Sequence, residues 1–342
     1  MNPEGEPSLA ALPAGSPVPA FAAGPGYRPP PLLGNGHLQT LYPTLLRQVP
    51  ALPCRRERIA TIDGDFLDLD RVEAGNKRLL VICHGLESSS RAKYVRALAL
   101  AGRAAGWDAL AVNLRGCSGQ PNRLVRSYHS GATEDLAAVL AHVAETADYR
   151  EIALVGFSLG GNLVLKYAGE RGTALPAAVR AVVGVSVPCD LESGAMRLDE
   201  PANRFYQWRF VRTLKSKLRA KCAAFPEHLD WRSFRRIRTV REFDDLYTAP
   251  VHGFADAGDY YRRCSCLPVL PRIAVPALVV NAADDPFLGP SCFPFAAAAA
   301  NPRLQLLVPD CGGHVGFVTF GSGGRYWHEN RILNFLNDLE TA

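Results

Sequence analysis

The sequence predicts an open, mostly parallel, doubly wound α/β sheet with a helical cap inserted late in the chain. Three observations carry this. From Arg58 on, short apolar runs alternate with segments of helical periodicity. Such alternation implies parallel strands joined by right-handed crossovers. The alternation breaks once, at about 190–271, for a helix-like stretch rich in Arg and aromatic residues, and then resumes.

The elements follow in order. Residues 1–31, mostly Pro, Ala and Gly with almost no charge, predict a disordered or loosely packed arm, and residues 32–342 the folded domain. RIATI and FLDLDRV flank Asp63-Gly64, a hairpin signal that adds antiparallel strands at one edge. RLLVIC (78–83) is a strand and 91–106 a helix. DALAVNL is a strand, and TEDLAAVLAHVAET is a helix opened by Thr133 with acids in its first turn. IALVGF is a strand, LGGNLVLKYAGE a helix and VRAVVGVSVP a strand. Beyond the insertion come the strand ALVVNA, a short helix over SCFPFAAAAA, the strand LQLLVPD and a last helix over about 325–339. The insertion covers the C-terminal edge of the sheet, where open α/β folds bind ligands.

A chain that is 48% hydrophobic and 21% charged has globular composition. Its net charge of +5 is too small to argue for nucleic acid. Nine scattered cysteines without C-x-x-C give neither a zinc ribbon nor a redox motif. The N-terminal stretch lacks a basic n-region and a continuous apolar core, so no signal peptide is predicted and a reducing cytoplasm is the expected setting. No apolar run approaches the ~20 residues of a membrane helix.

Chemistry enters at GFSLGGN, Gly156 to Asn162, which sits where the strand IALVGF turns into a helix. G-x-S-x-G in that context is a nucleophile elbow. The serine occupies a strained turn, its neighbours two residues away must be small, and its hydroxyl projects above the sheet. The helix N-terminus behind Ser158 favours developing negative charge. A phosphate-cradling loop fits poorly, since neither G-x-x-x-x-G-K-[ST] nor a G-x-G-x-x-G after a strand is present.

A serine of this kind needs a base and an acid, in the chain order Ser, Asp or Glu, His. Asp284-Asp285-Pro286 follows the strand ALVVNA, and His314 follows the strand LQLLVPD, so both fall at the sheet edge that carries Ser158. His314 is the expected base. Asp285, before a proline that fixes the loop, is assigned as the acid that orients it, with Asp284 as the alternative. Two backbone N–H groups are expected to face the oxyanion: Leu159, directly after the serine, and Leu86, in the loop CHGLE after the strand RLLVIC. His84 is read as shaping that loop. His37, His129 and His252 show no metal spacing, and Cys117 has no acid–base partner in sequence, so neither a metal nor a cofactor is expected.

The sequence resembles the YheT-like branch of the α/β-hydrolases, the AB-hydrolase-4 group. GNGHLQTLYP, HGLESSS, NLRGCSGQPNR, YHSGATEDL, GFSLGGN, VSVPCDL, REFDDLYTAPVHGF, NAADDPF and CGGHVGF carry the resemblance and span nearly the whole chain after the arm. It implies an α/β-hydrolase fold and a serine hydrolase of carboxylic esters, of short- to medium-chain acyl groups or lipids. It places a triad on Ser158, the Asp-Asp-Pro aspartate and His314. Relatives include fungal enzymes of medium-chain ethyl esters and animal phospholipases. An alcohol O-acyltransferase using the same acyl-enzyme, and a non-catalytic binding module on the same fold, are the alternatives.

The insertion carries charge as well as helices. Between Arg204 and Arg241 there are twelve Lys/Arg and only two acids, Glu227 and Asp230, interleaved with seven aromatics. A solvated cap whose aromatics pack on the domain is one reading, and peripheral contact with an anionic membrane the other.

Overall fold

Eight strands form one sheet in the computed structural model, which describes residues 26–321 and 323–339. They are β1 (Arg55–Ala60), β2 (Phe66–Val72), β3 (Arg78–Cys83), β4 (Asp108–Asn113), β5 (Glu151–Phe157), β6 (Val179–Val185), β7 (Ala277–Val280) and β8 (Leu304–Leu307). Their order is β1-β2-β4-β3-β5-β6-β7-β8. β1 and β2 pair antiparallel, as do β2 and β4, and every other pairing is parallel. The parallel strands therefore all end at one edge.

The hairpin shows why these residues make this edge. Ala60 pairs with Phe66 across the turn, where Gly64 takes φ +85°, a value open to a residue without Cβ. In β2 the side chains alternate. Leu67 and Leu69 enter the core, while Asp68 and Asp70 receive forked bonds of 2.7–2.9 Å from Arg58 and Arg56 of β1.

The helices are α1 (Gly36–Leu45), α2 (Lys93–Ala104), α3 (Thr133–Thr146), α4 (Leu159–Arg171), α5 (Leu191–Leu198), α6 (Arg204–Ala224), α7 (Trp231–Phe234), α8 (Val240–Phe243), α9 (Ala249–His252), α10 (Ala257–Cys264), α11 (Phe295–Ala300) and α12 (Trp327–Asp338). Leu98 of α2 and Ile332 and Phe335 of α12 pack on Leu80, Ile82 and Val155 on one face of the sheet. Leu136 and Val139 of α3 and Val164 of α4 pack on Leu79, Val81 and Leu154 on the other. Burying both faces explains the continuous apolar runs of β3 and β5. Helices α5 to α10 all belong to the segment between β6 and β7. No helix among the described residues is long and apolar enough to cross a membrane.

Several expectations need correction in detail. Most of the expected arm lies outside the described residues. Its end, from Gly26, is not loose at Tyr27, which is buried against Phe317 and Trp327 and donates to Val318 O at 2.8 Å. Thr133 does not cap α3. The cap position is Ala132, and the Thr133 hydroxyl donates instead to Glu170 at 2.8 Å. The helix expected over SCFPFAAAAA begins only at Phe295, because Pro290–Cys292 winds into a separate 3-10 turn. Helix α1 was not anticipated at all.

Candidate active site

The elbow is built by what its glycines leave out. Ser158 sits between β5 and α4 at φ 54°, ψ −121°, a strained conformation for a residue with Cβ. A Cβ on Gly156 would stand 2.0 Å from Gly160 O, and one on Gly160 would stand 2.4 Å from Cys83 O. Only glycine fits either place. Gly85 is less tightly held but still close, since a Cβ there would approach Ser158 Cβ to 3.1 Å. The β3 loop and the serine turn thus share one small space.

His314 and Asp285 come together beside it. His314 Nδ1 lies 2.9 Å from Asp285 Oδ2 and 3.1 Å from Oδ1. The Asp285 side chain is fully buried and that of His314 is 11% exposed. The carboxylate's fixed side is set by Phe287 N–H, which donates to Oδ1 at 2.9 Å. The Phe287 ring lies 4.4 Å from the imidazole, centroid to centroid. Neither Ser158 Oγ nor His314 Nε2 hydrogen-bonds to another described residue, and both face the same cavity. Serine–histidine bonds often tighten only with substrate bound. Asp284 turns away from the ring. Its Oδ1 accepts from Gly313 N at 2.8 Å, and burial pushes its carboxyl above the usual range.

The β3 loop leaves one amide unpaired between two fastened ones. Gly85 N–H donates to Tyr94 Oη at 3.0 Å and Glu87 N–H to Tyr128 Oη at 2.9 Å. Leu86 N–H, between them, donates to no described residue, and neither does Leu159 N–H at the start of α4. Leu86 and Leu159 both line the cavity with Ser158. His84 is wholly buried, with Nδ1 2.8 Å from Gly85 O and Nε2 accepting from Leu114 N–H at 3.2 Å. Burial pushes its pKa down to about 4, so the ring is neutral and shapes the loop.

Residues 78–320 match the family model described as alpha/beta hydrolase fold. "Putative esterase YheT" of Escherichia coli (strain K12) is 39% identical over 313 residues, covering 88% of this chain and 90% of that protein. The chain is a YheT-like member of the α/β-hydrolase family. Phospholipase ABHD3 of Mus musculus is 29% identical over 290 residues, covering 82% of this chain and 70% of that one. Among solved structures, the Pyrococcus furiosus esterase Pf2001 superposes with a TM-score of 0.55 at 18% identity, over 85% of this chain and 98% of that one, a likeness of fold.

In this α/β-hydrolase the cavity is a chamber of about 630 Å³, with largely apolar walls, roofed by the cap. Phe210, Leu214 and Leu218 of α6 line it together with Leu86, Leu159 and Phe287. Several of its supports carried no role in the sequence reading. Helix α1 braces both the Asp284–Asp285 loop and the His314 loop: a Cβ on Gly36 would stand 2.0 Å from Asp284 O, and Thr40 Oγ1 accepts from His314 N–H at 2.9 Å. In RGCSGQPNR, Arg115 is buried between Asp135, at 2.5 and 2.8 Å, and Asp63, at 2.7 Å. It fixes the loop that forms one chamber wall. Lys217 reaches from α6 to Glu87 at 2.9 Å and so ties the cap to the β3 loop. Lys221, whose ammonium donates to Asn122 O and Leu124 O, is pushed down to about 8 by burial. Asp244, in the π-helical turn Asp244–Thr248, accepts from Tyr261 Oη at 2.8 Å, and burial pushes its carboxyl up to about 7. Arg115 and Asp244 fall in the family-like stretches RGCSGQPNR and REFDDLYTAPVHGF, and Gly36 and Thr40 in GNGHLQTLYP, but nothing in the sequence singled out Lys217 or Lys221.

His37 stacks on Tyr206 at 5.8 Å, and His129 and His252 lie against each other at 4.6 Å. Cys117 is buried beside Lys217, and burial pushes its thiol up to about 11.

Proposed function

We propose that this α/β-hydrolase is a serine esterase that cleaves carboxylic esters, of short- to medium-chain acyl groups or lipids, through Ser158, His314 and Asp285. Ser158 Oγ attacks the ester carbonyl as His314 Nε2 takes its proton. The tetrahedral oxyanion is received by the N–H groups of Leu86 and Leu159. Collapse breaks the C–O bond, and His314 returns the proton to the leaving alcohol. Water then resolves the acyl-enzyme by the same steps in reverse. Asp285 holds the imidazole in the tautomer that presents Nε2 as acceptor and stabilises the imidazolium. No cofactor or metal takes part in these steps.

One observation carries the reading: a strained, unpaired Ser158 and a histidine buttressed by a buried carboxylate open onto one apolar chamber. The chamber's size suits a small ester or one acyl chain. The names of the relatives, an esterase and a phospholipase, support the same class. A cytoplasmic setting accords with nine free thiols, seven of them buried.

Hydrolysis of p-nitrophenyl esters from acetyl to dodecanoyl tests this. A burst of p-nitrophenol equal to the enzyme concentration, followed by steady turnover, is expected for at least part of the series. No release from any chain length would leave a binding module on the hydrolase fold. With ethanol added, ethyl ester in excess over free acid would make the protein an O-acyltransferase.

A further inference from the structure

Helix α6 has two working faces. Phe210, Leu214, Lys217, Leu218 and Lys221 point to the chamber. Arg204, Trp208, Arg212, Lys215 and Arg219, spaced by four, four, three and four residues, form a stripe on another side. That stripe walls a second, open groove of about 730 Å³, closed opposite by Trp231 and Arg238. The Arg212 guanidinium lies 5.4 Å from the Trp208 ring centre, and Arg219 lies 5.9 Å from that of Trp231. The side chains of Arg204, Arg212, Arg219 and Arg238 meet no carboxylate among the described residues. The groove's one acid, Asp199, is engaged by Gln207.

The aromatics of the insertion divide in the same way. Phe234 is buried in the cap and Phe210 is partly buried, but Phe205 and Trp208 are each 55% exposed, with ring centres 6.2 Å apart. Unpaired guanidinium groups beside exposed rings are the composition of a membrane-surface helix. The rings enter the headgroup layer and the cations meet phosphate oxygens. A nucleic acid would answer the charge, but a bilayer answers both the charge and the apolar pair.

We propose that the groove between α6 and Trp231–Arg238, with the Phe205–Trp208 pair, docks the cap on an anionic phospholipid surface. Because α6 also roofs the chamber, docking sets the chamber beside the lipid. The proposal does not depend on the chemistry at Ser158.

The test is co-sedimentation of the full chain with phosphatidylglycerol vesicles and with phosphatidylcholine vesicles, at low and high salt. Binding is expected to the anionic vesicles only and to weaken with salt, since surface charges are screened within ~8 Å at physiological ionic strength and ~3 Å at 1 M. Arg212→Gln, Arg219→Gln and Arg238→Gln together should weaken binding roughly hundredfold, at about fivefold per cation lost near an anionic surface. Arg232→Gln, Arg235→Gln and Arg236→Gln remove the same charge from exposed positions outside the groove and should cost far less. Circular dichroism melting of both triple variants controls for folding. Trp208→Ala should weaken the binding that persists at high salt. Equal losses in the two triple variants would assign the effect to net charge and overturn the groove. Equal partitioning to both vesicle types, binding to neither, or binding only to single-stranded RNA or to free inorganic phosphate would overturn the lipid occupant.

Discussion

Asp284 and Asp285 are neighbours with opposite duties. Asp285 Oδ2 faces His314 Nδ1, while Asp284 Oδ1 takes the Gly313 amide. Asp285→Asn should leave the loop's shape and present the wrong imidazole tautomer, lowering kcat on the order of 10⁴-fold. Asp284→Asn keeps a carbonyl to accept from Gly313 and should cost less than tenfold in kcat, small beside the ~10⁴-fold loss of the tautomer. Steady-state kinetics of the two purified variants decide it, and the reverse ranking would move the acid to Asp284. Ser158 directly follows β5 and His314 lies in the loop after β8, so the order of strands along the chain places both at one sheet edge. For the acid the sequence favours Asp285 and keeps Asp284 as the alternative, because adjacent side chains on a loop point in different directions; in the structure Asp285 is the one beside the ring.

His84 gives a second test at this scale. The unfolded chain takes a proton at this position near pH ~6.5, and the folded chain only near about 4. Between those values the unfolded state binds more protons, so stability contributed by the neutral ring is present above ~6.5 and is lost as pH falls toward about 4. Urea midpoints at pH 7, 5.5 and 4.5 should show a wild-type decline that His84→Asn makes shallower, while the buried His129, His252 and His328, whose pKa values burial also lowers, keep their share of it. Parallel declines in the two proteins would mean that His84 does not titrate as a buried neutral ring.

At the scale of elements, α1 is the piece the sequence hid. Its buried positions are Gly36, Gln39 and Thr40, and Pro43 lies inside it, so it carries no apolar stripe to read. Its work is polar. Gln39 Oε1 accepts from Val318 N–H and Thr40 Oγ1 from His314 N–H, both at 2.9 Å. Gly36→Ala would drive a Cβ into Asp284 O. That backbone cannot swing aside like a side-chain tip, so a loss of about 1–3 kcal/mol is expected from denaturation, with a lower kcat because the acid and base loops shift together. Unchanged stability and turnover would show that α1 does not set these loops. The central strands β3 and β5, by contrast, were legible to within a residue, since burial on both faces leaves apolar runs bounded by turns, whereas β1 begins three residues before RIATI and β6 and β8 stop three residues short of their apolar runs.

Over the whole molecule, parallel strands deliver Ser158, the β7 loop and His314 to one edge, and the segment between β6 and β7 folds over that edge. The order of the motifs along the chain announced this arrangement. The aim of the individual cap side chains could not be read, because Lys217, Lys221 and Trp208 sit on one helix in a run of similar composition, and tertiary packing alone sorts them between chamber and surface. Ser158 is the proposed nucleophile at that edge. It is tested most directly by labelling the full chain with a fluorophosphonate and mapping the adduct by mass spectrometry, with Ser158→Ala measured alongside. One adduct is expected, on Ser158, formed in step with loss of esterase activity, and a Ser158→Ala protein that folds, takes no label and turns over up to about 10⁶-fold more slowly. An adduct elsewhere, or a Ser158→Ala protein that keeps roughly a tenth of wild-type turnover where a triad member's loss costs about 10⁶-fold, would contradict it.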